Sequence, residues 1–170
     1  MLITPSYRAM NAEMHRSIPR YGTSGHKWGA QVQALAEEVG ARTVLDYGCG
    51  KGTLAASLSG LKVFEYDPAI PSKDSLPESA GVVVCTDVME HVEPEFTRDV
   101  VAQLCALATR AVFAVVCCVE GDRLLPDGRP AHINVHTREW WDETFRQFGD
   151  FRPAPCGADE YAAVWRRVCG

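Results

Sequence analysis

The stretch CTDVMEH, residues 85 to 91, places Asp87, Glu90 and His91 within five positions. If a helix starts at Val88, the three stand at offsets i, i+3 and i+4, which share one helical face. Two carboxylates and an imidazole on one face suit a divalent cation, provided a further ligand arrives from elsewhere. His132 and His136, in AHINVH, are the histidines placed to supply it. Either histidine also suits a metal-free role as general base, with Glu90 as its acid/base partner. The bland reading is the polar opening of an ordinary helix.

A second cluster precedes it. VLDYGCGKG, residues 44 to 52, runs from apolar residues to Asp46 and then to Gly48, Gly50 and Gly52, with Cys49 between them. Glycines after a strand let the backbone turn tightly and approach a ligand without obstruction by a Cβ. A helix N-terminus behind them offers unpaired N–H groups. A dinucleotide fingerprint requires GxGxxG or GxGxxA, and position 53 is threonine, so the spacing is not that of a nicotinamide or flavin site. VFEYDP then ends an apolar run on Asp67, 21 positions after Asp46. One carboxylate there can accept from two hydroxyl donors at once.

The elements that must position these residues alternate. Residues 28 to 41 place Val32, Leu35, Ala36 and Val39 at helical spacing, ended by Gly40. Strands are expected at 43 to 48, 62 to 67, 82 to 87 and 111 to 119, and a last one at 161 to 168. Helices are expected at 51 to 60, at 94 to 108 with Phe96, Val100, Val101, Leu104 and Leu107 along one side, and at 137 to 149 with Thr137 as N-cap. Residues 68 to 81 carry Pro68, Pro71 and Pro77 and should be irregular; residues 121 to 136 form a long polar loop. This alternation predicts an α/β fold with a doubly wound, mostly parallel sheet, whose ligands bind at the carboxyl ends of the strands.

At 170 residues the chain fits one domain, 1 to 170. The formal net charge of −5 argues against a non-specific grip on nucleic acid, and duplex DNA is not expected as a partner. The seven cysteines lack metal-binding spacing and several sit inside apolar runs, which suits a reducing, cytoplasmic setting. The first 20 residues lack a signal-type apolar core. The longest apolar run, 111 to 119, is half of the roughly 18 residues a membrane span requires, so no membrane association is expected.

The pattern D-x-G-x-G-x-G from Asp46 to Gly52 resembles the first motif of the class I S-adenosylmethionine-dependent methyltransferases, and VVVCTDVMEHVEP resembles the fourth strand and following turn of their small-molecule branch. The resemblance spans about Tyr21 to Trp165. It implies a Rossmann-like fold closed by antiparallel C-terminal strands, formed from FRPAP and YAAVWRRV. It implies S-adenosylmethionine as cofactor and S-adenosylhomocysteine as product. Asp46, Gly48, Cys49, Gly50 and Gly52 would form the cofactor loop, Asp67 (with Glu65 in reserve) would hold the ribose, and Asp87 would line the pocket. Only 14 residues separate Asp67 from Val82, so the family's third strand and its helix should be reduced or missing. Asp74 is then the candidate for the adenine contact that segment normally carries.

The DxxEH pattern also resembles the ExxEH motif of small-RNA 2′-O-methyltransferases and ubiquinone-biosynthesis O-methyltransferases. That implies a divalent ion (Mg, Mn or Zn) held by Asp87, Glu90, His91 and His132; the alternative is a cofactor wall without metal. Residues 1 to 28 resemble the N-terminal cap of small-molecule methyltransferases, which makes Tyr21 a candidate cofactor contact and His26 and Trp28 candidate substrate contacts, against a surface linker anchored by Trp28. Arg129, presented by the turn at Pro126–Gly128, is a candidate for an anionic substrate group or a solvated loop arginine. The expected activity is O-methylation of a small-molecule or nucleotide-like acceptor. The alternatives are a non-catalytic scaffold of the same fold and transfer of the cofactor's aminocarboxypropyl group.

Overall fold

The computed structural model describes residues 2 to 167, so Val168 at the end of the expected last strand and Cys169 lie outside the described residues. The apolar runs form one six-stranded sheet from β1 (Thr43–Tyr47), β2 (Lys62–Tyr66), β3 (Ala80–Thr86), β4 (Ala108–Cys117), β5 (Arg152–Pro153) and β6 (Glu160–Arg166). The order is β2-β1-β3-β4-β6-β5. β2, β1, β3 and β4 run parallel, while β6 is antiparallel to both β4 and β5.

Side-chain alternation explains the layering. Along β4, Val112, Ala114 and Val116 face one core, while Ala111, Phe113 and Val115 face the other. Both faces are therefore buried, as a parallel sheet requires. The helix α2 (Gly29–Glu38) covers the second face through Val32, Leu35 and Ala36. α3 (Thr97–Leu107) and α4 (Arg138–Arg146) cover the first through Val100, Val101, Leu104, Trp141 and Phe145. Thr137 caps α4 by accepting the Trp140 amide. Between β2 and β3 there is no strand or helix, so the sheet is trimmed at that edge, with β2 outermost.

Two expectations fail locally. The helix expected at 51 to 60 is a single 3-10 turn, Ala55–Ser57. Gly52 sits at φ +74, a left-handed conformation that a helix begun at Lys51 cannot contain, and Leu54 alone of that turn's approach is fully buried. The helix expected from Val88 is likewise one 3-10 turn, Met89–His91, because Asp87 adopts φ 55 and bends the chain sharply. Conversely, a helix that the apolar pattern does not reveal, α1 (Pro5–Ser17), opens the fold, with Thr4 capping it and Pro5 as its first residue. Only Tyr7, Asn11 and Met14 of α1 are buried. Tyr7 and Met14 pack with Tyr21, Leu125 and Ala131 in a small third cluster, and Asn11 accepts from the Tyr21 hydroxyl beside it.

Candidate active site

The loop after β1 is built around backbone contacts that leave no room for side chains. The amides of Gly48 and Cys49 donate to the carbonyl of Tyr66 at 2.7 and 3.0 Å, which fixes the loop to the end of β2. Gly50 has φ +50, and a Cβ there would lie 2.5 Å from the carbonyl oxygen of Gly22. Residues 20 to 24 thus lie directly on the loop, held by Lys51 N–H donating to Gly22 O at 2.8 Å. Gly48 and Gly50 line a cavity of about 660 Å³; Cys49 and Gly52 are turned away from it.

Asp67 closes this end of the cavity. It is 6% exposed; one carboxylate oxygen accepts the Gly50 amide at 3.0 Å and the other accepts the Ala69 amide at 2.9 Å. Each oxygen keeps a lone pair for a ligand hydroxyl. Asp46 lies behind, opposite Glu65 in the register of β1 and β2, and does not line the cavity. Burial, then the Glu65 and Asp67 charges, push its carboxyl up to about 7 against the pull of Lys73. Its Oδ2 has no hydrogen-bond partner. Lys73 pairs with Glu65 at 2.9 Å and donates to the Gly50 carbonyl at 3.1 Å.

At the other end, the sharp turn after β3 separates the three residues of CTDVMEH. Asp87 donates its amide to Val115 O at 3.1 Å and Met89–His91 is a 3-10 turn, so Asp87, Glu90 and His91 do not stand on one helical face, although all three line the cavity, Asp87 as expected. Glu90 is 1% exposed with an unpartnered Oε2. Burial, and then the Asp87 charge, hold its carboxyl well above the usual range. His91 donates from Nδ1 to Ala131 O at 2.8 Å, and burial pushes it down to about 4. His132 crosses it edge-on at 4.8 Å and donates from Nδ1 to Val119 O at 2.8 Å.

The ligand-capable atoms that converge are those of Glu90, Cys117 and His132, all within 4.8 Å of one another. Among the described residues this is the one such group of three or more histidine, cysteine or acidic side chains. It differs from the expected quartet: Cys117 joins from the end of β4, and neither Asp87 nor His91 belongs to it. Nothing in the sequence pairs Cys117 with Glu90; the register of β4 against β3 does.

The remaining candidates separate clearly. Tyr21 lines the cavity, buried, with its hydroxyl donating to Asn11 at 2.9 Å and its ring edge-on to His15 and His91. His26 also lines it, with Nδ1 bonded to Thr23 O at 2.8 Å. Trp28 does not: it is a core residue, 6.0 Å from Phe113 between ring centres. His136 stacks on Trp140 at 3.6 Å outside the cavity, and Arg129 pairs with Asp127 at 2.8 Å on an exposed turn. Asp74 is paired with Arg8 of α1 and stands off the cavity. Two contributors had no sequence signal. α1 adds Tyr7, Asn11 and His15 to the wall, and Asn134 ties the 88–91 turn to the long loop.

A family model described as a methyltransferase domain matches residues 14 to 152. The chain belongs to this methyltransferase family. The methyltransferase is similar in fold to the 1,6-didemethyltoxoflavin-N1-methyltransferase of Burkholderia thailandensis, solved with 1,6-didemethyltoxoflavin and S-adenosylhomocysteine: TM-score 0.66 at 17% identity, over 99% of this chain and 92% of that one. The magnesium protoporphyrin IX methyltransferase of Synechocystis PCC 6803, solved with S-adenosylmethionine, gives TM-score 0.66 at 16% identity over 95% and 97%. Human N-acetylserotonin methyltransferase in complex with S-adenosylmethionine gives 0.62 at 16% over 99% of this chain and 59% of that one. No curated protein is similar enough in sequence to count as a match.

The enzyme is an S-adenosylmethionine-dependent methyltransferase, and its residues fit that cofactor. The glycine loop leaves a cradle that a Cβ would fill, Asp67 offers two free lone pairs, and about 660 Å³ lies within the roughly 300–1,000 Å³ typical of small-ligand sites. Among the described residues no helix is long and apolar enough to cross a membrane.

Proposed function

We propose that this methyltransferase methylates an oxygen of a small-molecule or nucleotide-like acceptor, seated between Tyr21, His91 and His132 within a single domain capped by its first 28 residues. The cofactor, when bound, supplies a methyl group on a strongly electrophilic sulfonium. What the chain must add is an oriented and deprotonated nucleophile.

The observation that carries this reading is the state of His132. A carbonyl oxygen can only accept, so the 2.8 Å contact with Val119 puts a proton on Nδ1, and in the neutral ring it is Nε2 that carries the lone pair. Nε2 takes a proton from an acceptor hydroxyl, and the nearby Glu90, held neutral by burial, does not compete as an anion for that hydroxyl. Incubating the enzyme with S-adenosylmethionine and a panel of phenols, enols and nucleotides, and following S-adenosylhomocysteine release with mass and NMR analysis of the product, tests it. Products methylated at nitrogen or carbon alone, or release of methylthioadenosine, would overturn it.

A second reading rests on Glu90, Cys117 and His132 as ligands of a divalent ion. They fit: Glu90 Oε2 is buried without a partner, and the bond from His132 Nδ1 orients the ring as outer partners of metal-bound histidines do. A thiol and an imidazole favour Zn over Mg. The ion would lower the pKa of the acceptor hydroxyl. Metal content of the purified enzyme and its Cys117→Ser variant distinguishes the two readings: one equivalent lost on substitution supports the metal, and none in either supports His132 as a free base.

A further inference from the structure

His15, near the end of α1, is turned into the cofactor end of the cavity. Its Nε2 lies 3.6 Å from Asp67 Oδ2, too long for a direct hydrogen bond, and its Nδ1 is buried without a partner. The ring is held in place on two other sides. A Cβ on Gly22 would lie 2.7 Å from its Cε1, and Tyr21 meets it edge-on at 4.8 Å. The helix that carries it is pinned along its length. Thr4 donates to Glu93 from its amide and hydroxyl at 2.8 and 2.6 Å, Arg8 donates to Pro68 O at 2.6 Å, and Lys51 Nζ caps the C-terminal carbonyls of His15 and Ile18. Three anchoring residues hold a helix whose half-buried imidazole faces the cavity.

We propose that His15 is a second ribose-binding residue, which with Asp67 forms a donor-and-acceptor pair for the cofactor's diol. This rests on the cofactor reading above. A ribose hydroxyl both donates and accepts, whereas a carboxylate only accepts. Asp67 therefore satisfies half of what the diol presents. A neutral imidazole 3.6 Å away carries the missing N–H, and at that separation one hydroxyl oxygen reaches both groups with bonds of about 2.8 Å. Burial keeps the ring neutral against the pull of Asp67, with Lys51 and Lys73 acting in the same direction as burial. α1 then is a wall of the cofactor site, and the anchors at Thr4, Arg8 and Lys51 hold that wall in register.

Calorimetry with S-adenosylhomocysteine and its 2′-deoxy and 3′-deoxy analogues tests this. His15→Phe should weaken S-adenosylhomocysteine roughly ten-fold, the loss of one buried hydrogen bond, while His15→Gln, which keeps a donor, recovers most of it. One of the deoxy analogues should bind His15→Phe and the wild type alike, because it lacks the hydroxyl that His15 serves. Equal weakening of all three ligands would mean that His15 acts through structure alone, and unchanged affinity for all would remove it from the site; either overturns the proposal while the cofactor reading stands. Absence of S-adenosylhomocysteine binding by the wild type would overturn both. If His15→Phe does not fold, the ring ¹⁵N shifts of His15 in the wild type titrated with S-adenosylhomocysteine decide the matter, and shifts that do not move reject the contact.

Discussion

Asn134 holds the turn that carries Glu90. Its amide donates to the Glu90 carbonyl at 3.0 Å, and its side-chain Nδ2 donates to Met89 O at 3.1 Å and Thr97 Oγ1 at 2.9 Å. His136 donates in turn to Asn134 Oδ1 at 3.1 Å. A residue 1% exposed thus fastens the long loop to the start of α3 and to the 3-10 turn beside the cavity. Asn134→Ala leaves the Met89 carbonyl and the Thr97 hydroxyl short of a partner. It should cost about 1–3 kcal/mol of stability by urea denaturation and slow methyl transfer as Glu90 loses its place. A change within about 0.5 kcal/mol would show that water replaces the amide fully.

Gly50 and Gly22 touch through their backbones, and this contact predicts which glycines the enzyme can lose. Gly50→Ala puts a Cβ 2.5 Å from the Gly22 carbonyl at a left-handed φ of +50. The conformation alone costs roughly 1–2 kcal/mol, and residues 20 to 24 must move off the loop. Affinity for S-adenosylhomocysteine should fall at least ten-fold. Gly60→Ala is the control: its φ is +68, yet nothing lies within 4 Å of the added atom. It should lose stability but not affinity. Equal affinities in the two variants would show that the docking of residues 20 to 24 is irrelevant to the cofactor.

The two loop histidines should part company. His132→Ala removes the Nε2 lone pair beside Glu90 and should lower kcat by about 10²–10⁴-fold, the usual contribution of a general base, with S-adenosylhomocysteine affinity little changed. His136→Ala removes a ring stacked on Trp140 outside the cavity and the donor to Asn134 Oδ1, so it should lower kcat far less than His132→Ala, by no more than Asn134→Ala does. Comparable losses in both variants would remove His132 from the role of base.

The strands were legible because their apolar runs are buried on both faces: VVVC and AVFAVVCC can satisfy a 3.6-residue period no better than a central strand. The trimmed edge was legible too, since Pro68, Pro71 and Pro77 deny that segment a helix. α1 was not, because its inner face meets the cavity and a small separate cluster rather than the two main cores; Tyr7, Asn11 and His15 are spaced like an amphipathic stripe, but Asn11 and His15 are polar. The geometry of CTDVMEH was hidden by one residue. Asp tolerates a left-handed φ better than most side chains, and at Asp87 that conformation replaces the expected helix with a 3-10 turn, so the three residues reach the cavity without sharing a helical face. Cys117 could be placed beside Glu90 only once β4 was in register with β3.

Asp46 gives a pH dependence whose sign is fixed by its burial. Its carboxyl is pushed up to about 7 from an ordinary 3.8, by burial first and by Glu65 and Asp67 next. A folded-state value above the unfolded one means that the native state holds the proton more tightly between those limits. Its contribution to stability is fully present below about pH 3.8 and is lost as the pH rises through about 7. Each pH unit in that window costs about 1.4 kcal/mol, so the full penalty above neutrality is a few kcal/mol at most. Asp46→Asn cannot ionise and escapes it. The stability of Asp46→Asn relative to the wild type should therefore rise between pH 4 and pH 7 and level off above, whatever constant offset the unpaired Oδ2 position imposes on both sides of the window. Urea denaturation of both proteins across that range measures the difference directly. A difference that stays flat, or that narrows toward pH 8, would mean that Lys73 neutralises Asp46 in place and that the carboxylate is ionised at neutral pH.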